Sequence, residues 1–380
     1  MKITGIDTLL LAAPLARPWK FSTFTVSSLP ATLVRVRTDE GVIGLGEAFT
    51  RQGGHAISEI VHDALAPVVI GRDPNDVEAI WEDMYAVMRP RGHNRGFFME
   101  ALSGIDIALW DILGRAAGKP TWQALAGCGR RTVEVYASSV MIGPPEQMAR
   151  DARGLADRGF RAVKLKLGES VRSDVPRLEA VRSALGTDVD IMIDVNAGLD
   201  PASAIALGRA AERLGVFWLE EPVHADDYAG YARIRGALKD VRLAAGECEF
   251  TSAGVRLLLE RGLVDVIQPD IARAGGFTGC RRIAAVCDAF GAKVAPHTGL
   301  SGPVSIAASL HLAAAIPAFM TFEHMIIDNP LARVLPTAAP EPVDGRLVAP
   351  TSPGLGIELD DDRLAAFSRN PHLWRSSDSV

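Results

Sequence analysis

Polar residues stand at the ends of seven successive apolar runs between positions 160 and 325 of this 380-residue chain. The interval between them barely varies, and each interval has room for one helix and one strand. Because a parallel barrel collects the carboxyl ends of its strands on one rim, this spacing predicts a β/α barrel with its reactive groups on that rim. The polar residues are Lys164 with Lys166, Asp194, Glu220, Glu247, Asp270, His297 and Glu323.

The alternation of short strands and helical patterns is regular from about residue 127 to 348. Eight strands are predicted there, which is the number that closes a barrel of this type. The chain is longer than the roughly 250 residues of a typical barrel, so a second, smaller domain is expected. The predicted strands are 133–138, 162–167, 191–195, 217–219, 243–245, 264–267, 293–295 and 320–322.

Residues 1–126 read differently and predict an α+β domain. The alternating segment 34–48 turns at Asp39-Glu40-Gly41, which indicates a β-hairpin. Apolar residues recur at helical spacing over 60–88 and 102–117, and Gly118-Lys119-Pro120 supplies a helix stop. The Pro-rich tail, 349–380, no longer resembles a barrel and is expected to return to the first domain.

The composition excludes several classes of protein. A net charge of −6 gives no electrostatic footprint for nucleic acid. No apolar run approaches the roughly 18 residues that cross a bilayer, and the N-terminal run is interrupted by Asp7 and Pro14, which favours a first strand over a signal peptide. The four cysteines form no CxxC pair, so neither a zinc knuckle nor a disulfide framework is indicated, and a cytoplasmic location is expected.

The two lysines of Val163-Lys-Leu-Lys-Leu167 leave the same face of their strand, because strand side chains alternate with period two. On a solvated strand this would be only a polar face. A parallel barrel buries both faces of its strands, however, so Lys164 and Lys166 need anions or a metal–carboxylate cluster beside them.

Three carboxylates end the next three strands, at Asp194, Glu220 and Glu247. With no Cys or His in register, such a set suits a hard cation that keeps positions open for water or substrate, so Mg²⁺ is favoured over Zn²⁺. Alternation allows only one of the adjacent residues Glu220 and Glu221 to point inward, and the register after Leu219 leaves open which one it is.

Asp270 and His297 end strands six and seven and are expected to be lateral neighbours. A carboxylate in that place can hold one imidazole nitrogen and orient the other toward a substrate.

These motifs together resemble the mandelate racemase subgroup of the enolase superfamily. They are Lys164-x-Lys166, Asp194-x-Asn196, Trp218-Leu-Glu-Glu-Pro222, Gly246-Glu247, Gln268-Pro-Asp270, Pro296-His297 and Phe322-Glu323. The resemblance covers nearly the whole chain. It implies an α/β fold, a (β/α)₇β-type modified TIM barrel with an α+β capping domain that the C-terminal tail completes. It also implies Mg²⁺ as cofactor and a small-molecule carboxylate as substrate, and a homo-oligomer is expected.

The resemblance also implies roles. Asp194, Glu220 and Glu247 match the Mg²⁺ ligands of the family. Lys166 matches one acid/base, and His297, paired with Asp270, matches the other on the opposite face of the substrate.

Three further residues match positions that contact the substrate or its intermediate. Lys164 matches the contact to the substrate carboxylate and Asn196 a contact to a hydroxyl. Glu323 matches the acid that hydrogen-bonds the developing enediolate, which requires it to be protonated. Specificity is expected from two loops of the first domain, 17–28 and 48–55, whose polar members are Lys20, Arg51, Gln52 and His55.

The chemistry that follows is abstraction of the proton α to a carboxylate. The polar loops favour dehydration of an aldonate or aldarate to a 2-keto-3-deoxy acid, and a racemase or epimerase of a 2-hydroxy acid is the alternative. Two other classes stay open: a barrel that binds phosphate through 274–276 or 298–302, and a non-catalytic metal-dependent binder of sugar acids.

Overall fold

The computed structural model describes residues 1–336, 340–370 and 373–377. The first part of the chain forms an antiparallel sheet in the order β1-β2-β3. The predicted hairpin is confirmed, since Val36 pairs with Gly44 and Arg37 with Ile43 across a turn in which Gly41 has a φ of 78°. The strands are β1 (Ile3–Lys20), β2 (Thr25–Thr38) and β3 (Ile43–Ala48).

Helices cover this sheet. The stretch predicted as helical over 60–88 is divided by the left-handed Gly71 and by Pro74, whereas the second predicted helix is continuous and buried. That helix lies so close to β3 that a Cβ at Gly46 would stand 1.8 Å from the carbonyl oxygen of Gly104. The helices are α1 (Gly54–Glu59), a π-helical turn (Ile60–Leu65), α2 (Ala66–Val69), α3 (Val77–Met88), α4 (Phe97–Ala116) and α5 (Thr121–Ala124), with 3₁₀ turns at Pro74–Asp76 and Arg89–Arg91.

The barrel strands are parallel neighbours in sequence order, and the last of them pairs with the first. A bridge between Val294 and Phe319 closes the ring on the remaining side. The strands are β4 (Thr132–Val140), β5 (Ala162–Lys166), β6 (Asp190–Asp194), β7 (Trp218–Glu220), β8 (Arg242–Ala245), β9 (Val266–Ile267), β10 (Lys293–Val294) and β11 (Phe322–Met325).

The predicted strand 320–322 is displaced toward the C-terminus. Met320 donates its N–H to Val294, so this part of the chain completes the bridge to β10, and pairing with β4 begins only at Phe322. Glu323 is therefore the second residue of β11. The sequence pattern had placed it directly after the end of its strand.

Side chains alternate between the two faces of the barrel strands and so form two hydrophobic cores, one outside the barrel and one inside it. Val163 and Leu165, predicted to point away from the lysines, belong to the large core that includes the surrounding helices. A small interior cluster fills the barrel below the rim, formed by Tyr136, Met192, Trp218, Ala244, Val266 and Ala295. The helices are α6 (Pro145–Asp157), α7 (Val171–Leu185), α8 (Pro201–Arg213), α9 (Tyr228–Ala237), α10 (Ser252–Glu260), α11 (Gly276–Ala289) and α12 (Pro303–Ala315).

The end of the chain returns to the first part of the protein. After a 3₁₀ turn at Pro330–Val334, β12 (Arg346–Val348) pairs with β4, helix α13 (Asp361–Ala365) follows, and β13 (Arg375–Ser376) adds to the edge of β1. Residues 371–372 and 378–380 of the predicted tail lie outside the described residues. Within the described ranges, no helix is long and apolar enough to cross a membrane.

Candidate active site

The strand ends bring the predicted residues to one rim. Lys166, Asp194 and Glu220 are the last residues of β5, β6 and β7. Glu247 follows β8 by two residues, while Asp270 and His297 each follow their strand by three and are joined by a backbone bridge. None of these six residues exposes more than 7% of its surface, so a concentrated set of titratable groups is buried at this rim.

Lys164 lies at the centre of an anionic cluster. Its Nζ is 2.9 Å from Oε1 of Glu220, 2.6 Å from Oε1 of Glu323 and 3.8 Å from Oδ2 of Asp194. Burial alone would lower the pKa of Lys164, but the charges of Glu220 and Glu323 outweigh burial and hold this pKa well above its ordinary value. Lys164 is therefore a permanent ammonium. Lys166, on the same face, contacts the Asp194 carboxylate.

The three predicted metal ligands each face a cationic side chain. Glu220 accepts from Lys164 and from the indole N–H of Trp218 at 3.1 Å, and burial together with the charge of Asp194 raises its pKa to about 7. Oε2 of Glu247 lies 3.2 Å from Nε2 of His297. Burial and the neighbouring carboxylate of Asp194 therefore both disfavour a negative charge on Glu220.

The sequence left open whether Glu220 or Glu221 points inward. In the structure, the side chains do not alternate at this point. Glu220 is paired within β7 and follows Trp218 into the barrel, whereas Glu221 has a left-handed backbone with a φ of 42°. Alternation holds only while the strand lasts, so both carboxyls end up buried near the rim. Oxygen atoms of Glu221 and Glu247 and the sulfur of Cys248 lie within 4.8 Å of one another.

Asp270 and His297 form the predicted pair. Oδ2 of Asp270 is 2.8 Å from Nδ1 of His297, and Oδ1 of Asp270 accepts the N–H of Ala272. Burial would lower the imidazole pKa, but the charge of Glu247 and the bond to Asp270 raise it to about 9. His297 is therefore protonated at neutral pH, and its Nε2 proton faces the carboxylate cluster.

Glu323 differs from the expectation of a protonated acid. It accepts from Lys164, from Ser138 Oγ at 2.7 Å and from the N–H of Thr298 at 2.7 Å. Burial alone would raise its pKa, yet the charges of Lys164 and His297 bring the pKa far below the ordinary value. Three donors converge on Glu323 and favour its carboxylate form in this structure, whereas the resemblance implies a protonated acid. That role of Glu323 stays a prediction.

Ser138 and Trp218 are two further members of the site that the sequence motifs do not predict. Both could have been found from signals that were available: Ser138 is the polar end of the first predicted barrel strand, and Trp218 shares the inward face of its strand with Glu220 by period two.

The four polar residues predicted in the specificity loops lie in different surroundings. Arg51 reaches the rim, with Nη2 3.3 Å from Oε1 of Glu247 and its guanidinium 4.6 Å from the ring centroid of Phe24. Lys20 does not, since its Nζ pairs with Glu169 at 2.6 Å and its side chain is 65% exposed. Gln52 and His55 are exposed. In this structure Lys20 is therefore not placed at the rim.

Several N–H groups that the phosphate alternative would need already have partners. In the loop 298–302, the N–H of Thr298 donates to Glu323 and that of Gly302 to Glu47. In 274–276, the N–H of Gly275 donates to Ser103. Protein oxygens already occupy these N–H groups, so neither loop offers them as a phosphate cradle.

The donor set fits a hard divalent cation. Asp194, Glu220 and Glu247 would supply oxygen ligands from neighbouring strands, and the pKa of Glu220 is raised by burial and by the charge of Asp194, which a bound cation would offset. The alternative group that contains Cys248 fits poorly, because burial raises the pKa of that thiol to about 12 and a protonated thiol is no ligand for Mg²⁺.

Comparison with known proteins agrees with this geometry. Residues 5–126 match the model of the mandelate racemase / muconate lactonizing enzyme N-terminal domain, and residues 147–363 match the enolase C-terminal domain-like model. D-galactarolactone cycloisomerase of Agrobacterium fabrum is 35% identical, over 97% of this chain and 99% of its own length. D-galactonate dehydratase of Variovorax paradoxus is 34% identical, over 99% and 97%.

Solved structures of the superfamily are similar to this chain over nearly its whole length. A member of the enolase superfamily from Polaromonas sp. JS666 has a TM-score of 0.91 at 32% identity, covering 98% of this chain and 99% of its own. A racemase from Streptomyces coelicolor A3(2) with bound magnesium has a TM-score of 0.88 at 28% identity, covering 96% and 99%. With both of its domains matched and its relatives aligned from end to end, this chain is an enzyme of the mandelate racemase and muconate lactonizing enzyme family within the enolase superfamily.

Proposed function

We propose that this enzyme dehydrates a sugar acid, an aldonate or aldarate, to a 2-keto-3-deoxy acid through a Mg²⁺-dependent enediolate. The observation that carries the proposal is the placement of Lys166 and His297. Lys166 contacts Asp194 and His297 contacts Glu247, so two buried proton-transfer groups flank one carboxylate cluster. A substrate carboxylate held over that cluster has one such group on each side.

The first step is removal of the proton on the carbon next to the carboxylate. Lys166, in its uncharged form, accepts this proton, and the electron pair moves onto the carboxylate oxygens. Lys164, an ammonium held by Glu220 and Glu323, lies where it can stabilise that new charge. Asp194, Glu220 and Glu247 would hold a Mg²⁺ ion, which would supply further positive charge for the carboxylate.

The second step expels the hydroxyl from the β carbon. His297 gives its Nε2 proton to the departing oxygen, so the group leaves as water and His297 becomes neutral. Asp270 keeps Nδ1 protonated and the ring fixed through its 2.8 Å contact. The resulting enol tautomerises to the 2-keto acid, and Lys166 carries the proton that came from the α carbon.

Arg51 supports an acidic, hydroxylated substrate. It is the loop cation that reaches the rim, where a second carboxylate or a hydroxyl of the substrate can accept its N–H groups. Asn196 supports the same reading, because its Oδ1 is buried without a hydrogen-bond partner and lies beside Asp194. A substrate hydroxyl would satisfy that oxygen.

Opening of an acid-sugar lactone is the second candidate, supported by the 35% identity to D-galactarolactone cycloisomerase. The same two groups serve it, since the ring oxygen on the β carbon leaves in place of hydroxide. Racemisation or epimerisation is the third use of the pair, in which His297 returns a proton to the α carbon from the opposite face. It matches the racemase among the similar structures.

A library of aldonates, aldarates and their lactones, incubated with the enzyme and Mg²⁺ in D₂O, distinguishes these outcomes. Dehydration gives a 2-keto acid that is one water lighter than its substrate. Lactone opening gives a keto acid with no loss of water, and racemisation gives deuterium at the α carbon without a keto acid. If no member of the library exchanges its α-proton, the proposed chemistry is wrong.

A further inference from the structure

Glu47 is a buried carboxylate of the capping domain that contacts the barrel. It is the penultimate residue of β3, is 2% exposed, and lies against the first turn of α12. Its Oε1 accepts the N–H of Gly302 at 2.6 Å and its Oε2 the N–H of Ser305 at 3.1 Å. The first N–H groups of a helix lack partners within the helix, so Glu47 satisfies two that the barrel leaves free.

The fit between Glu47 and Gly302 is close. A Cβ built on Gly302 would stand 2.6 Å from Oε2 of Glu47, and the φ of Gly302, −80°, is one that alanine adopts without strain. A methyl group at position 302 would therefore meet no backbone strain but would have to displace the Glu47 carboxylate.

Gly302 ends a short loop, 298–302, that begins directly after His297. The loop touches two groups of the active site. Thr298 donates its N–H to Oε2 of Glu323 at 2.7 Å and its hydroxyl to the Glu323 carbonyl at 2.8 Å. A Cβ on Gly299 would stand 2.6 Å from Nε2 of His297, so the loop backbone lies against the imidazole that faces the carboxylate cluster.

We propose that Glu47 is a positioning residue, which sets the place of His297 and Glu323 from the capping domain by holding the far end of the loop 298–302. This inference rests on the proposed function, in which His297 transfers a proton. The helix after the preceding strand is held in the same way, because Asp106 of α4 accepts the N–H of Thr278 in α11 at 3.0 Å. The capping domain therefore holds the helices that follow both members of the Asp270–His297 pair.

A purely structural role is the competing explanation, and Asp111 provides the matched control. Asp111 is also a buried carboxylate of the capping domain, and it accepts the N–H groups of Leu45 and Leu355 at 2.9 Å and 2.7 Å. It stabilises the docking of the tail but does not touch the loop 298–302. Asp111→Asn reports what the loss of a buried, hydrogen-bonded carboxylate of the capping domain does on its own.

The experiment compares Glu47→Gln with Asp111→Asn in the full-length enzyme with Mg²⁺. Hydrogen–deuterium exchange followed by mass spectrometry measures the amides of 298–305, and we expect faster exchange there in Glu47→Gln but not in Asp111→Asn. With D-galactonate as the first probe, kcat of Glu47→Gln should fall about 10²-fold with KM nearly unchanged, the size expected when a catalytic group is displaced by about 1 Å. Asp111→Asn should keep its kcat within about threefold.

Gly302→Ala tests the same contact from the barrel side, because its methyl group would displace the Glu47 carboxylate. It should reproduce both effects of Glu47→Gln, which keeps the test informative if Glu47→Gln does not fold. Wild-type amide exchange over 298–305 in either variant would overturn the inference. Faster exchange there with a wild-type kcat would overturn it as well. If the wild-type enzyme turned over no acid at all, the proposed function would fail, while the exchange measurement would still decide whether Glu47 holds the loop.

Discussion

Lys164 and Lys166 stand two residues apart on one strand, and their surroundings assign them different tasks. Lys164 is enclosed by Glu220 and Glu323 and keeps its proton. Lys166 lies at the end of β5, contacts the single carboxylate of Asp194 and stands 5.0 Å above the ring of Phe21. Lys164 is therefore the fixed positive charge, and Lys166, at the end of β5, stays the proposed base.

Replacement of Lys166 and of His297 should block proton exchange from opposite faces of the substrate. Lys166→Met should abolish loss of the α-proton from one stereoisomer, and His297→Asn should abolish proton delivery from the other face. Each change should cost at least about 10²-fold in rate, as is typical for a lost general acid or base. Deuterium incorporation by NMR measures both, and wild-type exchange in the two variants would contradict these roles.

Arg51 and Lys20 make a matched pair for the specificity loops. Arg51→Ala should raise KM about tenfold or more, because a charge-assisted contact to the substrate is lost, while exchange at the α carbon changes less. Lys20→Ala should leave KM near the wild-type value, since Lys20 pairs with Glu169 at the surface. Steady-state kinetics on the best acid of the library tests this, and equal effects of the two substitutions would count against the assignment of Arg51.

At the scale of elements, α12 links the barrel to the capping domain at both of its ends. Its first turn receives Glu47, and further along His311 accepts the N–H of Trp122 at Nδ1 and donates from Nε2 to the carbonyl of Leu355, both at 3.1 Å. A neutral imidazole satisfies both contacts. A second proton would have to go on Nδ1, which already faces a donor, so protonation would break the contact to α5.

Acid should therefore destabilise the protein through His311. Burial lowers its pKa from 6.5 to about 4, so between these values the unfolded chain takes up a proton that the folded protein refuses. The stabilisation is complete above pH 6.5 and declines as the pH falls toward 4, by at most about 3 kcal/mol. Urea unfolding at several pH values measures this, and His311→Gln should show a shallower decline than the wild type over that range. If the free energy of unfolding declined equally with pH in the two proteins, His311 would not be a cause of the acid destabilisation.

At the scale of the whole molecule, the rim holds more negative than positive charge. The carboxyls of Asp194, Glu220, Glu221 and Glu247 stand beside Lys164, Lys166, His297 and Arg51, with Asp270 and Glu323 close behind. Buried carboxylates without enough cations are costly, so binding of a divalent ion should be coupled to the stability of the folded protein.

Added Mg²⁺ should raise the thermal midpoint of the folded enzyme, and exhaustive chelation should abolish turnover until Mg²⁺ is restored. At a free Mg²⁺ concentration of 100 times Kd, the expected stabilisation is about 2.7 kcal/mol. Glu247→Gln should weaken this response. Differential scanning calorimetry measures the midpoint without any substrate, and full turnover by metal-free enzyme would exclude the proposed cofactor role.

The homo-oligomeric state and the cytoplasmic location of the enzyme stay predictions.

The sequence by itself determined the barrel, its reactive rim and most members of the site. Strand ends are visible as polar residues after apolar runs, and period two shows that Lys164 and Lys166 share a face, because both patterns are local properties of the backbone. Tertiary structure alone decided the rest. Glu221 joined the rim as a left-handed residue directly after its strand, donors from β4, β5 and the loop 298–302 converged on Glu323, and Lys20 turned to Glu169. Charge states and contacts of this kind depend on groups distant in the sequence, and no local pattern records which of them will meet.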